Sequence, residues 1–200
     1  MNILVEPFFI GFFQFIISLM LISGLAFTGR YINNFLFKDY QTILLDIIIG
    51  LIIFSQLLKI ITYLGFFNKF YIIFSFFFLL VGIYNLKNII PHFHYKNYLV
   101  RDSKFSVVVI SLLFLFLIIS IAPPSMADAL DYHYGIPLYL LKYFQIPNIN
   151  FWLYANVGGN GDIFNSIALH LKTDNFVSVL QAISLVLFFS FLKKEIKNDK

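Results

Sequence analysis

Asp128, Asp131 and His133 stand within six residues of one another, directly after an apolar run that stops at Pro123-Pro124. Residues three apart share a helical face, so the two carboxylates can point the same way. Paired acids at a membrane surface suit two chemistries. One is general-base activation of a hydroxyl nucleophile. The other is holding a divalent cation against a phosphate, with Asp128 and Asp131 as ligands. His133 lies about 200° around a helix from Asp131, so it joins them only if the chain bends near Gly135. A structural alternative stays open: Asp128 partners a helix dipole in the first turn, and the other two are solvated.

A second candidate is Gly158-Gly159-Asn160-Gly161-Asp162. Backbone N–H groups at the start of a helix can cradle a phosphate. The competing reading is a flexible turn closed by an Asp cap. No strand precedes the run, so it is neither a Walker motif nor a dinucleotide fingerprint. Asp46 and Lys59 lie inside an apolar segment, where charges are functional suspects. They are about 20 Å apart along a helix and cannot pair; snorkelling to the nearer interface is the expected behaviour of both. His92-x-His94 lacks a third metal ligand and reads as an interfacial segment.

The elements that position these residues follow from composition. Of 200 residues, 60% are hydrophobic and 12% charged, against about 45–50% and 25% in soluble domains. That excludes a soluble enzyme, a nucleic-acid-binding domain and a disordered chain. The net charge of +4 is therefore no nucleic-acid signal. With no cysteine, thiolate metal sites and disulfides are impossible.

Crossing the hydrocarbon takes about 20 apolar residues. Five segments meet or approach that: Pro7 to Thr28, Ile43 to Phe67, Phe70 to Leu86, Phe105 to Ala122 and Val177 to Leu192. The fifth is adequate if its helix begins near Thr173. The first lacks the basic leader of a signal peptide and reads as a retained helix. Counted over alternate connections, Lys and Arg divide ten against three. The richer set faces the cytoplasm. The expectation is an all-α, multi-pass plasma or inner membrane protein of about five transmembrane helices, N-terminus outside and C-terminus inside. Residues 1–122 form a four-helix transmembrane region. Residues 123–175 form a long outer-face loop with interfacial helices, and 176–200 a fifth span with a basic cytoplasmic tail.

The outer loop concentrates the informative residues. It holds four of the ten acids, two of the four histidines, the single Trp and four of the six prolines. Ser125 can cap a helix after Pro123-Pro124. The stretch to Phe144 mixes Leu with Tyr132, Tyr134, Tyr139 and Tyr143, as interfacial faces do. Gly135 and Pro137 are expected to kink or split that helix. A second short helix is expected from Asp162, capped by it, to Lys172. The loop is then either re-entrant or surface-lying.

The stretch Pro123-Pro124 … Asp128-Ala129-Leu130-Asp131-Tyr132-His133 … Pro137 resembles the first large outer loop of GT-C-fold membrane glycosyltransferases. Bacterial members carry a P-P … D-[AS]-L-x-Y-H … P pattern directly after a span. Gly159-Asn160-Gly161-Asp162-Ile163-Phe164 is similar to their G-N-G-E-L-L stretch. The likeness covers about Ala122 to Gln181. It implies inverting transfer of a sugar from a polyprenyl-phosphate donor to a glycan or lipid acceptor at the outer face. The acid opening the loop would be the base, or the organiser of metal and phosphate. Asp128 is then the leading catalytic candidate and His133 the second. Asp131 falls at a position the pattern leaves variable. Asp162 replaces the usual Glu with a shorter arm. Asp162, Asn160, Tyr132, Trp152 and Lys142 form the expected substrate-binding set, with Lys142 or Lys172 neutralising the lipid phosphate or anchoring at the interface. Family members are substantially longer, so a fragment, a split protein completed by a second chain, and a remnant are all consistent with this length. Two readings compete with the enzyme. One is a non-catalytic membrane subunit whose Tyr- and Trp-rich loop docks a partner. The weaker is a small transporter, for which the spans offer little beyond Gln14, Gln56 and Lys59.

Overall fold

The computed structural model describes residues 5–36, 42–89, 103–122, 133–148 and 160–198. Seven helices account for the secondary structure of the described residues: α1 (Val5–Leu36), α2 (Ile43–Tyr63), α3 (Phe67–Ile89), α4 (Ser103–Ile121), α5 (Gly135–Tyr143), α6 (Asn160–His170) and α7 (Phe176–Asn198). Three stretches are long and apolar enough to cross a membrane: Phe9–Leu36, Ile43–Tyr63 and Phe67–Leu86. Phe176–Phe189 is a shorter apolar helix. α4 adds 19 residues made mostly of Val, Ile, Leu and Phe.

Two boundaries differ from the sequence expectation for local reasons. α2 stops at Tyr63, before the expected Phe67. Gly65 takes a left-handed φ of 76°, and the Phe66 N–H turns back to the Ile61 carbonyl at 3.0 Å, a closure that ends helices. α1 continues two turns past Thr28, through Arg30 and Asn33. Both side chains find an acceptor in Asp46 on α2. Arg30 Nε donates to one carboxylate oxygen at 3.3 Å and Asn33 Nδ2 to the other at 2.7 Å. Asp46 is 1% exposed, so it is a buried, paired anion and does not snorkel. It also sits in the first turn of α2 behind the Thr42 cap, where the helix dipole favours negative charge.

α1 is the spine of the bundle, and its neighbours approach it closely. In a lipid environment apolar helices gain little by hiding from solvent, so close backbone packing and interhelical hydrogen bonds carry association. A Cβ on Gly29 would overlap the Asp46 carbonyl oxygen, and one on Gly82 would overlap that of Met20. These two glycines let α2 and α3 lie against α1. Beside the second contact, Ser23 Oγ donates to the Gly82 carbonyl at 3.1 Å and Asn85 Nδ2 to the Ser23 carbonyl at 3.0 Å. The outward faces of α2, α3 and α4 expose Ile52, Ile60, Ile73, Leu80, Phe114 and Ile119, as lipid-facing residues would be.

The helix ends sort into two groups. Arg30, Asn33 and Asp46 mark one end. At the other, Ile121 of α4 meets Gly11 of α1, and Gln14 Nε2 donates to the Lys172 carbonyl at 3.0 Å. Tyr71, one turn into α3, meets the rings of Phe144 and His170 at that same end. α5, α6 and the α6–α7 turn therefore gather beside the N-terminal half of α1.

α6 is held inside the bundle against α2, α3 and α5. Every residue from Asp162 to Ala168 is buried. Phe164 packs edge-on against Phe78 at 5.1 Å and lies 5.7 Å from Phe176. Gly135 and Pro137 fall in the first turn of α5, where a missing N–H leaves no bond unmade. The residues before His133, and with them the expected kink or split of a longer helix, lie outside the described residues.

Replacing Gly82 by Ala forces α1 and α3 apart. A loss of about 1–3 kcal/mol is expected from such overpacking, read as a lower thermal midpoint in detergent. Gly161→Ala is the contrast, because nothing lies within 4 Å of its added Cβ, and its midpoint should not fall.

Candidate functional site

The first turn of α6 and the start of α5 meet over His133. Asp162, 5% exposed, lies in that first turn, where the dipole favours a carboxylate. Its Oδ1 lies 2.6 Å from His133 Nδ1. One turn on, the fully buried Asn165 donates from Nδ2 to the His133 carbonyl at 2.9 Å. Asp162 and Asn165 are three apart and share a face. α6 thus holds His133 by its ring and by its backbone. The imidazole itself is about two-fifths exposed, 41% against 7% for the Asp162 side chain.

The next residue extends the hold. The Tyr134 hydroxyl donates to the Asp174 carbonyl in the α6–α7 turn. That turn is in turn tied to α1. Ser18 Oγ donates to Asn175 Oδ1 at 3.1 Å, and Asn175 Nδ2 to the Gly11 carbonyl at 3.4 Å. Lys172 adopts a left-handed φ of 57°, and the Thr173 N–H reaches back to the Ala168 carbonyl at 3.0 Å. Its backbone closes α6 while its carbonyl takes the Gln14 bond.

Such a pair can act as a proton-exchanging dyad. A carboxylate only accepts hydrogen bonds, so with Asp162 ionised the ring is the donor of this contact, through Nδ1. His170, by contrast, packs on the Tyr71 ring at 4.8 Å, and burial lowers its pKa below the ordinary value.

Of the residues expected from sequence, His133 and Asp162 are brought together. Asn160 opens α6. Lys142, in the last turn of α5, is exposed with its ammonium 5.1 Å from the Tyr143 ring centre. Asp128, Asp131, Tyr132 and Trp152 lie outside the described residues, as does His92-x-His94. Among the described residues no three His, Asp or Glu are grouped to hold a metal ion. The cation-binding expectation for Asp128 and Asp131 falls outside them. Asn165, Asn175 and Tyr134 carry much of the geometry and were not among the expected site residues. The Asp162-x-x-Asn165 spacing was the available signal.

Burial, with the Asp174 charge adding to it, pushes the Tyr134 phenol up from 10.0 to about 12. The folded protein therefore holds this proton more tightly than the unfolded chain. The stabilisation is fully present below pH 10 and is lost as pH rises through about 12. Over that window unfolding should become easier by on the order of 2 kcal/mol. A Tyr134→Phe variant, compared by denaturant titration, should lack that component.

No curated protein and no solved structure matches the chain. Residues 76–200, which take in α4 to α7 and both members of the His133–Asp162 pair, match the model of the DUF1420 N-terminal domain. The match spans well over half of the sequence, and the chain belongs to that family.

Proposed function

We propose that this chain is the membrane-embedded part of a GT-C-like glycosyltransferase that transfers a sugar from a polyprenyl-phosphate donor to a glycan or lipid acceptor at the outer membrane face. The observation that carries the reading is the His133–Asp162 contact of 2.6 Å. Each residue comes from one of the two separate stretches that resemble the family, and the fold joins them. In this reading α1, α2, α3, α4 and α7 are five spans. The end holding α5 and α6 is the lysine-poor side and faces outward. The Arg30–Asp46 end and the basic tail face the cytoplasm.

Asp128 is the acid that opens the loop and the first candidate for base or phosphate organiser. Asp131, Tyr132 and Trp152 supply further polar and aromatic contacts to donor and acceptor. Lys142 offers a cation for the lipid phosphate. A second chain at the donor groove is a partner within this proposal.

Native mass spectrometry of protein extracted gently from its own membranes tests this without a guess at the sugar. Wild type should carry a polyprenyl-phosphate mass, with or without a sugar attached. In membranes, Asp128→Asn should cut transfer about a hundredfold or more while expression holds. A bare wild-type protein, or one paired only with another polypeptide, would contradict the donor-lipid reading and favour the docking subunit.

A further inference from the structure

We infer that Lys69 and the exposed face of α3 below it bind one anionic phospholipid of the surrounding bilayer. Such a site goes beyond the transferase reading and does not depend on it.

Lys69 lies in the first turn of α3. A helix start favours negative charge, so helix stability does not account for a lysine there. It belongs to the lysine-poor set of connections, whose three cations are Lys69, Lys142 and Lys172. Among the described residues no carboxylate pairs with any of the three. The Lys69 ammonium sits instead 5.5 Å from the centre of the Phe66 ring, which is itself exposed.

The fold brings these connections together. Two residues after Lys69, the Tyr71 ring meets Phe144 at 5.7 Å and His170 at 4.8 Å. Phe144 follows Lys142 by two positions, and Lys172 follows His170 by two. Phe144 and Lys172 are also the two non-glycine residues of positive φ among the described residues. Phe144 ends α5 with its N–H on the Leu140 carbonyl at 2.8 Å, and Lys172 ends α6. Such backbone is uncommon for these residue types and persists where the surroundings fix it. Three lysine-bearing turns thus surround one aromatic knot. A headgroup of net negative charge is favoured there over a zwitterionic one.

Below Lys69, the exposed residues Phe66, Phe70, Ile73, Phe77 and Leu80 recur every three or four positions. Lys69 stands three after Phe66 and four before Ile73, so it shares their face. Side chains on a helix tilt towards its N-terminus, which aims the lysine stem at the bilayer surface. A lipid phosphate at Lys69 then leaves its acyl chains along this run. Helices that pack together in lipid do so through small residues. On α3 those lie on the buried side, at Ser75 and Gly82. The bulky exposed run suits an acyl chain better than another helix.

The test is native mass spectrometry of the full chain, reconstituted in nanodiscs of equal phosphatidylglycerol and phosphatidylcholine with matched acyl chains. The wild type should retain one phosphatidylglycerol in preference to phosphatidylcholine. Lys69→Gln should cut that preference about fivefold, and Lys69→Arg should keep it. Phe77→Ala should lower retention of both lipids and leave their ratio unchanged. A wild type that carries the two lipids in their bulk ratio overturns the inference without any variant. So does displacement of the lipid by inorganic phosphate, or full retention in Phe77→Ala. Lys142→Gln should weaken the preference less than Lys69→Gln; the reverse order would seat the headgroup on α5 and overturn the site on α3. In protein extracted from its own membranes, a polyprenyl phosphate lost on Lys69→Gln would give this corner to the donor, overturning the phospholipid site while the transferase reading stands. If no polyprenyl phosphate is bound but phosphatidylglycerol is, the transferase reading fails and the phospholipid site stands.

Discussion

A polar helix buried in an apolar bundle is stable only if its side chains find partners there, and α6 is such a helix. From Asp162 to Ala168 it has no exposed residue, and three of its side chains in that run could be replaced by apolar ones only at the expense of specific bonds. Asp162 meets His133, Asn165 meets the His133 carbonyl, and Ser166 Oγ turns back to the Ile163 carbonyl at 2.6 Å. Phe164 supplies the apolar contact to α3 and α7. Buried polar groups in a low-dielectric setting strengthen the bonds they make and penalise those they lack. The position of His133 follows from this constraint, because its ring and carbonyl are the partners that α6 requires.

The same constraint explains the shape of α1. It must reach the α6–α7 turn with Gln14 and Ser18, then α3 with Ser23, and then Asp46 with Arg30 and Asn33. These contacts, from Gln14 to Asn33, cover about 29 Å of helix, close to the roughly 30 Å of hydrocarbon, within a helix of 32 residues. Glycines at the crossings bring backbones close enough for the serine and asparagine bonds to form. Polar groups along α1 thus anchor, on one side, the α6–α7 turn and, on the other, a buried ion pair.

Much of this was legible in the sequence. The apolar segments, the short helix after the glycine run and the separate interest of His133 and Asp162 all follow from local residue types. What was not legible depends on contacts between distant segments. The sequence shows Arg30 as a loop charge because nothing in Gly29-Arg30-Tyr31 announces that Asp46 will receive it. Asp46 reads as a snorkelling residue for the same reason. Lys172 carries no glycine signal, yet it closes α6 with a positive φ. The 29-residue separation of His133 and Asp162 hides their contact. Asn165 and Asn175 look like ordinary helix-boundary amides until their partners on α5 and α1 are known.

The central claim is that the His133–Asp162 pair works at the outer face. It is tested most directly by labelling single cysteines in intact cells with a membrane-impermeant thiol reagent, since the chain has no cysteine of its own. His133→Cys stands at the partly exposed member of the pair, and Leu36→Cys at the exposed opposite end of α1. His133→Cys should be labelled from outside and Leu36→Cys only after the membrane is permeabilised. The reverse pattern would contradict it.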